Sequence, residues 1–269
     1  MKPLIFSTIV SFLVIYNMSA QKLEFSFNEN YEVIAPLNLT ASIFEGSIDV
    51  QAIENNTMEV YYSIIKDNKL LKISRQEFDQ HFDLKVVNEK NKFELKIETK
   101  PDEKKKYWKE DIQVSLLIKV PKETSGELST MKGNLSVKGL TANQKCITSD
   151  GNIKAEKITG TSMFETNNGD IIFKDLSGAV ITKTPNGKIQ GNMKAVKDSL
   201  IMSSENGIIN VIIPNNIGYD LLLKGKLVNT SLIKFTGTSQ RTFVKGKLNG
   251  GGLPVRMLSN TGNVTLFFN

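Results

Sequence analysis

The sequence predicts an all-β chain whose central part is a stack of short parallel strands, and three observations carry this prediction. A polar residue, a glycine, any residue and an aliphatic residue recur in that order between about residues 126 and 214, with a period of 18 that lengthens once to 20. Apolar and polar residues alternate on both sides of each glycine. Lysines and carboxylates occupy matching outward positions one period apart. Self-similarity at a fixed period near 20 residues is typical of stacked repeats.

The first 20 residues have the pattern of an export signal. Lys2 precedes the apolar run 4–15, and the small residues Ser19 and Ala20 predict cleavage after Ala20. The apolar run is shorter than the ~20 residues that a membrane span needs, which argues against an uncleaved anchor. We therefore predict a signal peptide over residues 1–20 and an exported protein that is periplasmic, surface-exposed or secreted.

Composition limits what the rest of the chain can be. Residues 21–269 contain no proline-rich or low-complexity boundary, so we predict a single domain. Cys146 is the only cysteine, which excludes an internal disulfide framework. The formal net charge of +6 favours anionic surfaces or glycans over nucleic acid as partners of an exported chain. The sequence predicts no transmembrane segment after signal cleavage and no cofactor.

Residues 21–125 alternate like β-strands with one interruption. Apolar residues around Phe78 have helical spacing, and Ser74 is followed three residues later by Glu77, which is the pattern of a capping box. We predict a short helix inserted between strands near 74–83.

A charged loop at residues 101–109 separates two of the predicted strands. Basic residues beside aromatic ones can bind phosphates or sugars. The candidates for such a surface-binding site are Lys104, Lys105, Lys106, Tyr107 and Trp108. A solvent-exposed loop without a ligand has the same composition and is the more frequent explanation of a run of charges.

Aligned on their glycines, the repeats show columns of matching residue type. The glycines are Gly133, Gly151, Gly169, Gly187 and Gly207. The column three residues earlier holds Thr130, Thr148, Thr166, Thr184 and Ser204. The column two residues later holds Leu135, Ile153, Ile171, Ile189 and Ile209. Because alternate residues of a strand share a face, these columns predict the buried faces of short strands on either side of a turn.

The residues directly before the glycines predict tight turns, since Asn and Gly both tolerate positive φ. Stacked repeats would place Asn168, Asn186 and Asn206 in a ladder along one corner. A meander of hairpins closed by the same dipeptides is the alternative. A meander does not require residues 18 apart to match in type, so the matching columns favour the stack.

The charges favour the same register. In stacked repeats, Glu156 would lie between Lys138 and Lys174, and Glu165 would face Lys183. Opposite charges on neighbouring strands stabilise a register modestly, by roughly 0.2–1 kcal/mol a pair.

The same order of columns returns near both ends of the chain. It surrounds Gly46 in residues 39–50 and Gly262 in residues 253–268. The regular rungs therefore cover about 126–214, with a closing rung at 253–268 and insertions between them.

At this point a family resemblance emerges from the repeats. The runs Thr-Asn-Asn-Gly-Asp-Ile (166–171), Thr-Pro-Asn-Gly-Lys-Ile (184–189) and Ser-Glu-Asn-Gly-Ile-Ile (204–209) resemble the Thr-x-Asn-Gly-x-Ile rungs of a bacterial putative-adhesin family of unknown function. The resemblance covers most of the mature chain. It implies a right-handed β-solenoid, usually exported, with an adhesin role assigned by analogy and no catalytic motif.

Residues that could support catalysis are isolated. His81 is the only histidine and falls in the predicted helix, so no second histidine can share a metal with it. Cys146 occupies an inward column, which predicts an inert buried thiol. A polysaccharide lyase or hydrolase built on a β-helix is the enzymatic alternative, but it needs a pair of suitably placed carboxylates. Glu156 and Glu165 instead face lysines.

These observations together predict a non-enzymatic adhesin-like or cell-envelope scaffold protein. Its partner would be a surface glycan or an envelope protein, bound through polar side chains on regular outward faces.

Overall fold

A computed structural model describes residues 24–67, 69–101 and 112–269, and these residues form an all-β chain with one short helix. The predicted signal peptide lies outside the described residues. The first eleven strands are β1 (Phe27–Glu32), β2 (Leu37–Glu45), β3 (Ile48–Ile53), β4 (Thr57–Lys66), β5 (Lys69–Leu71), β6 (Phe82–Glu89), β7 (Lys92–Thr99), β8 (Ile112–Pro121), β9 (Thr124–Lys132), β10 (Leu135–Lys138) and β11 (Gln144–Asp150). Within the described ranges, no helix has the length and apolar content needed to cross a bilayer.

The remaining strands contain most of the regular repeat. They are β12 (Ile153–Glu156), β13 (Ser162–Thr166), β14 (Ile171–Thr184), β15 (Ile189–Ser204), β16 (Ile209–Ile213), β17 (Tyr219–Lys224), β18 (Val228–Thr230), β19 (Phe235–Gln240), β20 (Phe243–Leu248), β21 (Leu253–Ser259) and β22 (Val264–Phe268). All 22 described strands belong to one hydrogen-bonded sheet.

Two rows can be followed through this sheet. The first row runs β6, β7, β2, β9, β11, β13, β14, β15, β21, β17, β20 and β19. The second row runs β1, β4, β8, β3, β10, β12, β14, β15, β16, β22 and β18, with β5 also paired to β4. The long strands β14 and β15 contribute to both rows. Pairs in the middle of each row are parallel, whereas antiparallel pairs occur near the ends, so the sheet is mixed.

Within the repeat, residues 18 apart are direct partners on parallel strands. Leu135 lies opposite Ile153, and Ile153 lies opposite Ile171. In the other row, Cys146 lies opposite Phe164. The strands on either side of the turn at Gly151, β11 and β12, belong to different rows, whereas a hairpin would pair them with each other.

The glycines are required because the backbones approach closely at this corner. A Cβ atom added to Gly169 would lie 1.9 Å from the carbonyl oxygen of Gly151. The equivalent distances along the corner are between 1.7 and 2.0 Å. The column begins at Gly46 and ends at Gly262, so the first and closing rungs stack on the regular ones.

The threonines three residues before the glycines bind the same corner. The Thr166 hydroxyl donates to the Gly151 carbonyl at 2.8 Å, and the Thr184 hydroxyl donates to the Gly169 carbonyl at 2.9 Å. The same bond is made by Thr130, Thr148, Ser204 and Ser259. Each of these hydroxyls thereby gives the carbonyl oxygen of a corner glycine a hydrogen-bond donor, which a buried backbone oxygen needs.

The predicted short helix is confirmed at the N-terminal end of the stack. Helix α1 (Arg75–His81) begins at Ser74, whose side chain accepts from the Glu77 N–H while the Glu77 carboxylate accepts from the Ser74 N–H. Phe78 is buried, and its ring packs on Phe82 at 4.8 Å between centroids. The helix therefore covers the apolar core where the stack ends.

Candidate binding face

The sequence-predicted binding residues Lys104, Lys105, Lys106, Tyr107 and Trp108 lie outside the described residues. Their role stays a prediction.

The three corner asparagines lie in a chain of side-chain hydrogen bonds. Asn168 donates to the Asp150 carboxylate at 2.7 Å, Asn186 donates to Asn168 at 3.0 Å, and Asn206 donates to Asn186 at 2.8 Å. Every bond in this ladder runs in the same direction and ends on the negative charge of Asp150. The amides hold successive turns in register.

A second ladder lies on the other side of the glycines. The Asn134 side chain accepts from the Asn152 N–H at 2.9 Å, and the Asn152 side chain accepts from the Asp170 N–H at 2.8 Å. Asp170 in turn accepts from the backbone N–H of Lys188 at 2.9 Å. A sequence pattern does not show that this last bond goes to the backbone of Lys188.

Ion pairs join neighbouring strands on the outward faces. Glu165 lies 3.0 Å from Lys183, as the register predicted. Glu156 lies 3.5 Å from Lys138, and this ion pair joins β12 to β10 of the preceding rung. On the following rung, Lys174 of β14 occupies the register position opposite Glu156. These side chains are partly exposed, so the pairs add specificity of register and little stability.

Two open grooves lie side by side on the outward face of the first row. The first is about 370 Å³ and crosses β7, β2, β9 and β11. Its lining includes Ser42, Phe44, Ser129, Met131 and Ile147. The second is about 440 Å³ and crosses β2, β9, β11 and β13. We call the surface that contains both grooves the grooved face.

The second groove has a different chemical character. Thr40, Glu127, Lys145 and Met163 follow one another across its strands at the same register position. The Glu127 carboxylate lies 2.6 Å from the Lys145 ammonium. A hydroxyl, a charge pair and a thioether thus follow one another over a short distance, which suits hydrogen bonding and apolar contact with one ligand.

Sequence reasoning missed the grooved face. Its polar residues alternate with buried ones as on any solvated strand, and the groove walls come from segments more than 80 residues apart, such as Ser42 and Ser129. Gln144, at the edge of the second groove, was also missed. Its side-chain amide donates to the carbonyls of Thr124 at 2.8 Å and Ala142 at 3.0 Å, which fixes the backbone there.

Titratable groups in the core are held in their neutral forms. Cys146 is fully buried, and burial raises the pKa of its thiol well above its usual range. Burial likewise raises the pKa of the Tyr62 hydroxyl, which donates to Glu29 at 3.0 Å. Among the residues that the structure describes, no three His, Cys, Asp or Glu side chains form a group suited to a metal ion.

The described strands form one mixed, all-β sheet with two open grooves on one outward face. Comparison with family models gives no match, and neither does comparison with curated proteins. Among solved structures, the chain is similar to a putative cell adhesion protein from Clostridium sporogenes, at 11% identity and a TM-score of 0.36, covering 90% of this chain and 99% of that one. It is also similar to a putative adhesin from Bacteroides fragilis, at 12% identity and a TM-score of 0.39, covering 90% of this chain and 96% of that one.

Proposed function

We propose that this protein is a non-enzymatic, exported adhesin-like or cell-envelope scaffold protein, which binds an extended glycan or protein through its outward faces. The observation that carries the proposal is the pair of grooves on the grooved face. Each groove is open and crosses four strands, so a ligand can lie across the strands without being enclosed.

The stack suits an extended partner because its side chains repeat evenly. Neighbouring strands are about 4.8 Å apart, and the outward residues of each row recur at that spacing. A body held by backbone ladders and by the glycine corner changes shape little on binding, which lowers the entropic cost of association. We propose that residues 21–269 form one right-handed β-solenoid domain of this kind.

Export is part of the same proposal. The predicted signal peptide over residues 1–20 places the mature chain in the periplasm, on the outer surface or outside the cell. The predicted site at Lys104–Trp108 would add a second contact to the partner.

The grooved face is tested by filling one groove. Ser129 is half-buried in the first groove, and a Ser129→Arg variant would place a long side chain across it. Ser136 on β10 is also a half-buried outward serine, but it lies in the second row, so Ser136→Arg is the matched control. Binding of the mature protein to intact cells and to a glycan array is measured for the wild type and both variants.

We expect Ser129→Arg to reduce saturable binding at least tenfold, and Ser136→Arg to bind like the wild type. Equal binding by all three proteins would refute the grooved face as the binding site. The enzymatic alternative is tested by incubating the wild type with acidic polysaccharides. Catalytic release of reducing ends would overturn the non-enzymatic assignment.

A further inference from the structure

The positive charge of the chain is concentrated at one end of the stack. Residues 206–269 contain seven basic residues and one acidic residue, a net charge of +6 that equals that of the whole chain. The basic residues are Lys224, Lys226, Lys234, Arg241, Lys245, Lys247 and Arg256. The other 205 residues are balanced. Such a segregation of charge creates a local field that attracts anions.

Four of these cations share the outward face of the strands that end the first row. Arg256 on β21 lies opposite Leu222 on β17, and Leu222 lies opposite Lys245 on β20. Lys224 lies opposite Phe243 on β20, and Lys247 lies opposite Asp220, the one carboxylate on these outward positions of β17 and β20. Since strands are about 4.8 Å apart, Arg256 and Lys245 are about 10 Å apart at the backbone. We call this surface, formed by the outward residues of β21, β17, β20 and β19, the basic face.

The cations of the basic face differ from the lysines elsewhere on the same row. Lys145 and Lys183 each lie within 3.0 Å of a carboxylate. Among the residues that the structure describes, Lys224, Lys245 and Arg256 form no ion pair. All three are exposed. Unpaired cations at a short spacing repel one another, so the face gains free energy when a polyanion neutralises it.

Neutral hydrogen-bonding groups complete the basic face. The outer strand β19 places Thr236 opposite Lys247 and Thr238 opposite Lys245, and Gln240 follows at the next outward position. All three side chains are exposed. Hydroxyl and amide groups beside cations suit a ligand that carries both anionic groups and hydroxyls, which describes an acidic sugar.

One path connects the basic face to the grooved face. Register positions link Arg256 to Ile201, Ile201 to Ile181, and Ile181 to Met163 at the second groove. These apolar residues are partly exposed. From β20 to β11 the path spans six strand spacings, about 29 Å. An extended chain that binds the cations can therefore continue over the apolar stripe into the groove.

We propose that the basic face binds an extended acidic polysaccharide, which lies across the strands and runs towards the grooved face. This inference deepens the proposed function by naming the chemical class of the partner, and it rests on that function. The exposed charges of Lys224, Lys245 and Arg256 favour a polymer bound at the surface over insertion into a bilayer. The regular spacing of unpaired cations provides the charge complementarity.

The probe is polygalacturonate, with neutral dextran and phosphatidylglycerol vesicles as comparisons. Lys224→Gln/Lys245→Gln removes two charges from the basic face. Lys154 and Lys194 are exposed lysines that form no ion pair in the described part of the chain. Lys154 lies on β12, which belongs to the second row and not to the basic face. Lys154→Gln/Lys194→Gln therefore removes the same charge elsewhere.

We expect the wild type to bind polygalacturonate and not dextran, and the affinity to fall as salt rises from about 50 to about 300 mM. Neutralising the basic face should raise the dissociation constant about tenfold, and the control variant should match the wild type. Equal losses in both variants would refute a localised site. Binding to the vesicles without binding to polygalacturonate would also overturn the inference.

The two proposals can fail separately. If neutralising the basic face leaves binding to intact cells unchanged while Ser129→Arg abolishes it, the polysaccharide inference is wrong and the grooved face stands. If Ser129→Arg changes nothing while the basic-face variant loses polygalacturonate, the basic face is a binding site and the grooved face is not.

Discussion

Replacing Gly169 by alanine tests the stacking of the chain at its most crowded point. The added Cβ would lie 1.9 Å from the carbonyl oxygen and 2.5 Å from the carbonyl carbon of Gly151. Both atoms belong to the backbone, so no side chain can rotate away. The two turns would have to separate by at least about 1 Å to reach the shortest contact that real Cβ atoms make.

The cost can be estimated from two contributions. Forcing an extra methyl into a packed site costs about 1–3 kcal/mol, and a clash with backbone atoms puts this site at the upper end. Separating the turns also stretches the 2.8 Å hydrogen bond from the Thr166 hydroxyl to Gly151, which contributes about 1 kcal/mol. We expect the free energy of unfolding to fall by about 3–4 kcal/mol.

The measurement is urea unfolding of the mature chain followed by circular dichroism, with the midpoint and slope compared between variants. Gly250→Ala is the control. A Cβ at Gly250 meets nothing within 4 Å, but the residue has a φ of 87°, so its replacement costs only backbone strain of about 1–2 kcal/mol. Gly169 does not have a positive φ in this range. The comparison of the two variants therefore separates the cost of the steric clash at Gly169 from the cost of backbone strain at Gly250.

A loss at Gly169 no larger than the loss at Gly250 would refute the reasoning. The turns would then have room for a side chain, and the glycine column would need another explanation.

Three further predictions concern single sites. Glu156→Lys should lower the urea midpoint of unfolding slightly at low salt, and adding Lys138→Glu should restore it. Failure of the second substitution to restore the midpoint would contradict the ion pair. A difference between the variants that is as large at high salt as at low salt would contradict its exposure to solvent. Cys146 should react with Ellman's reagent only after unfolding, because burial keeps its thiol protonated, and prompt reaction of the native protein would contradict its placement. Burial raises the pKa of Tyr219 to about 12, so the unfolded state loses this proton first, near pH 10. The stability that Tyr219 contributes should be complete below pH 10 and decline from pH 10 towards 12, as followed by the urea midpoint; a flat profile there would contradict it.

The columns of the repeat could be predicted because each depends on local geometry. Ile153 and Ile171 are buried and face each other, as alternation about the glycines required. Thr148 and Thr166 are also buried, as their column predicted. Their hydroxyls donate to the glycine carbonyl of the preceding rung. This acceptor depends on how closely successive turns approach each other, which the sequence pattern does not give.

The strand register predicts which charged residues are neighbours, but it does not predict which of them form an ion pair. Glu156 has a lysine on each neighbouring strand, and the sequence alone gives no reason to choose between them. In the structure Glu156 pairs with Lys138 of the preceding rung at 3.5 Å and with Lys157 of its own rung at 3.8 Å. Lys157, directly after β12, and Asp175, within β14, adopt φ values of 55° and 56°.

The candidate sites were the least predictable part. A groove lined by both Ser42 and Ser129 exists only because β2 and β9 are neighbours. The basic face likewise needs β21 beside β17 and β17 beside β20, which differs from their order along the chain. The sequence shows that the excess charge lies in residues 206–269, but only the pairing of β21, β17 and β20 shows that four of these cations share one face.

The sequence by itself determined the strand content, the buried columns, the glycine corner and the short helix at Ser74. These follow from alternation, close approach and capping, which act between residues near in the chain or at one fixed period. Only the tertiary structure decided that β2 lies between β7 and β9 and that β3 lies between β8 and β10. Such pairings bury faces that are distant in sequence, and their stability is a sum over many weak contacts against the entropy of closing long loops. The outward faces, where a partner would bind, are set by those pairings.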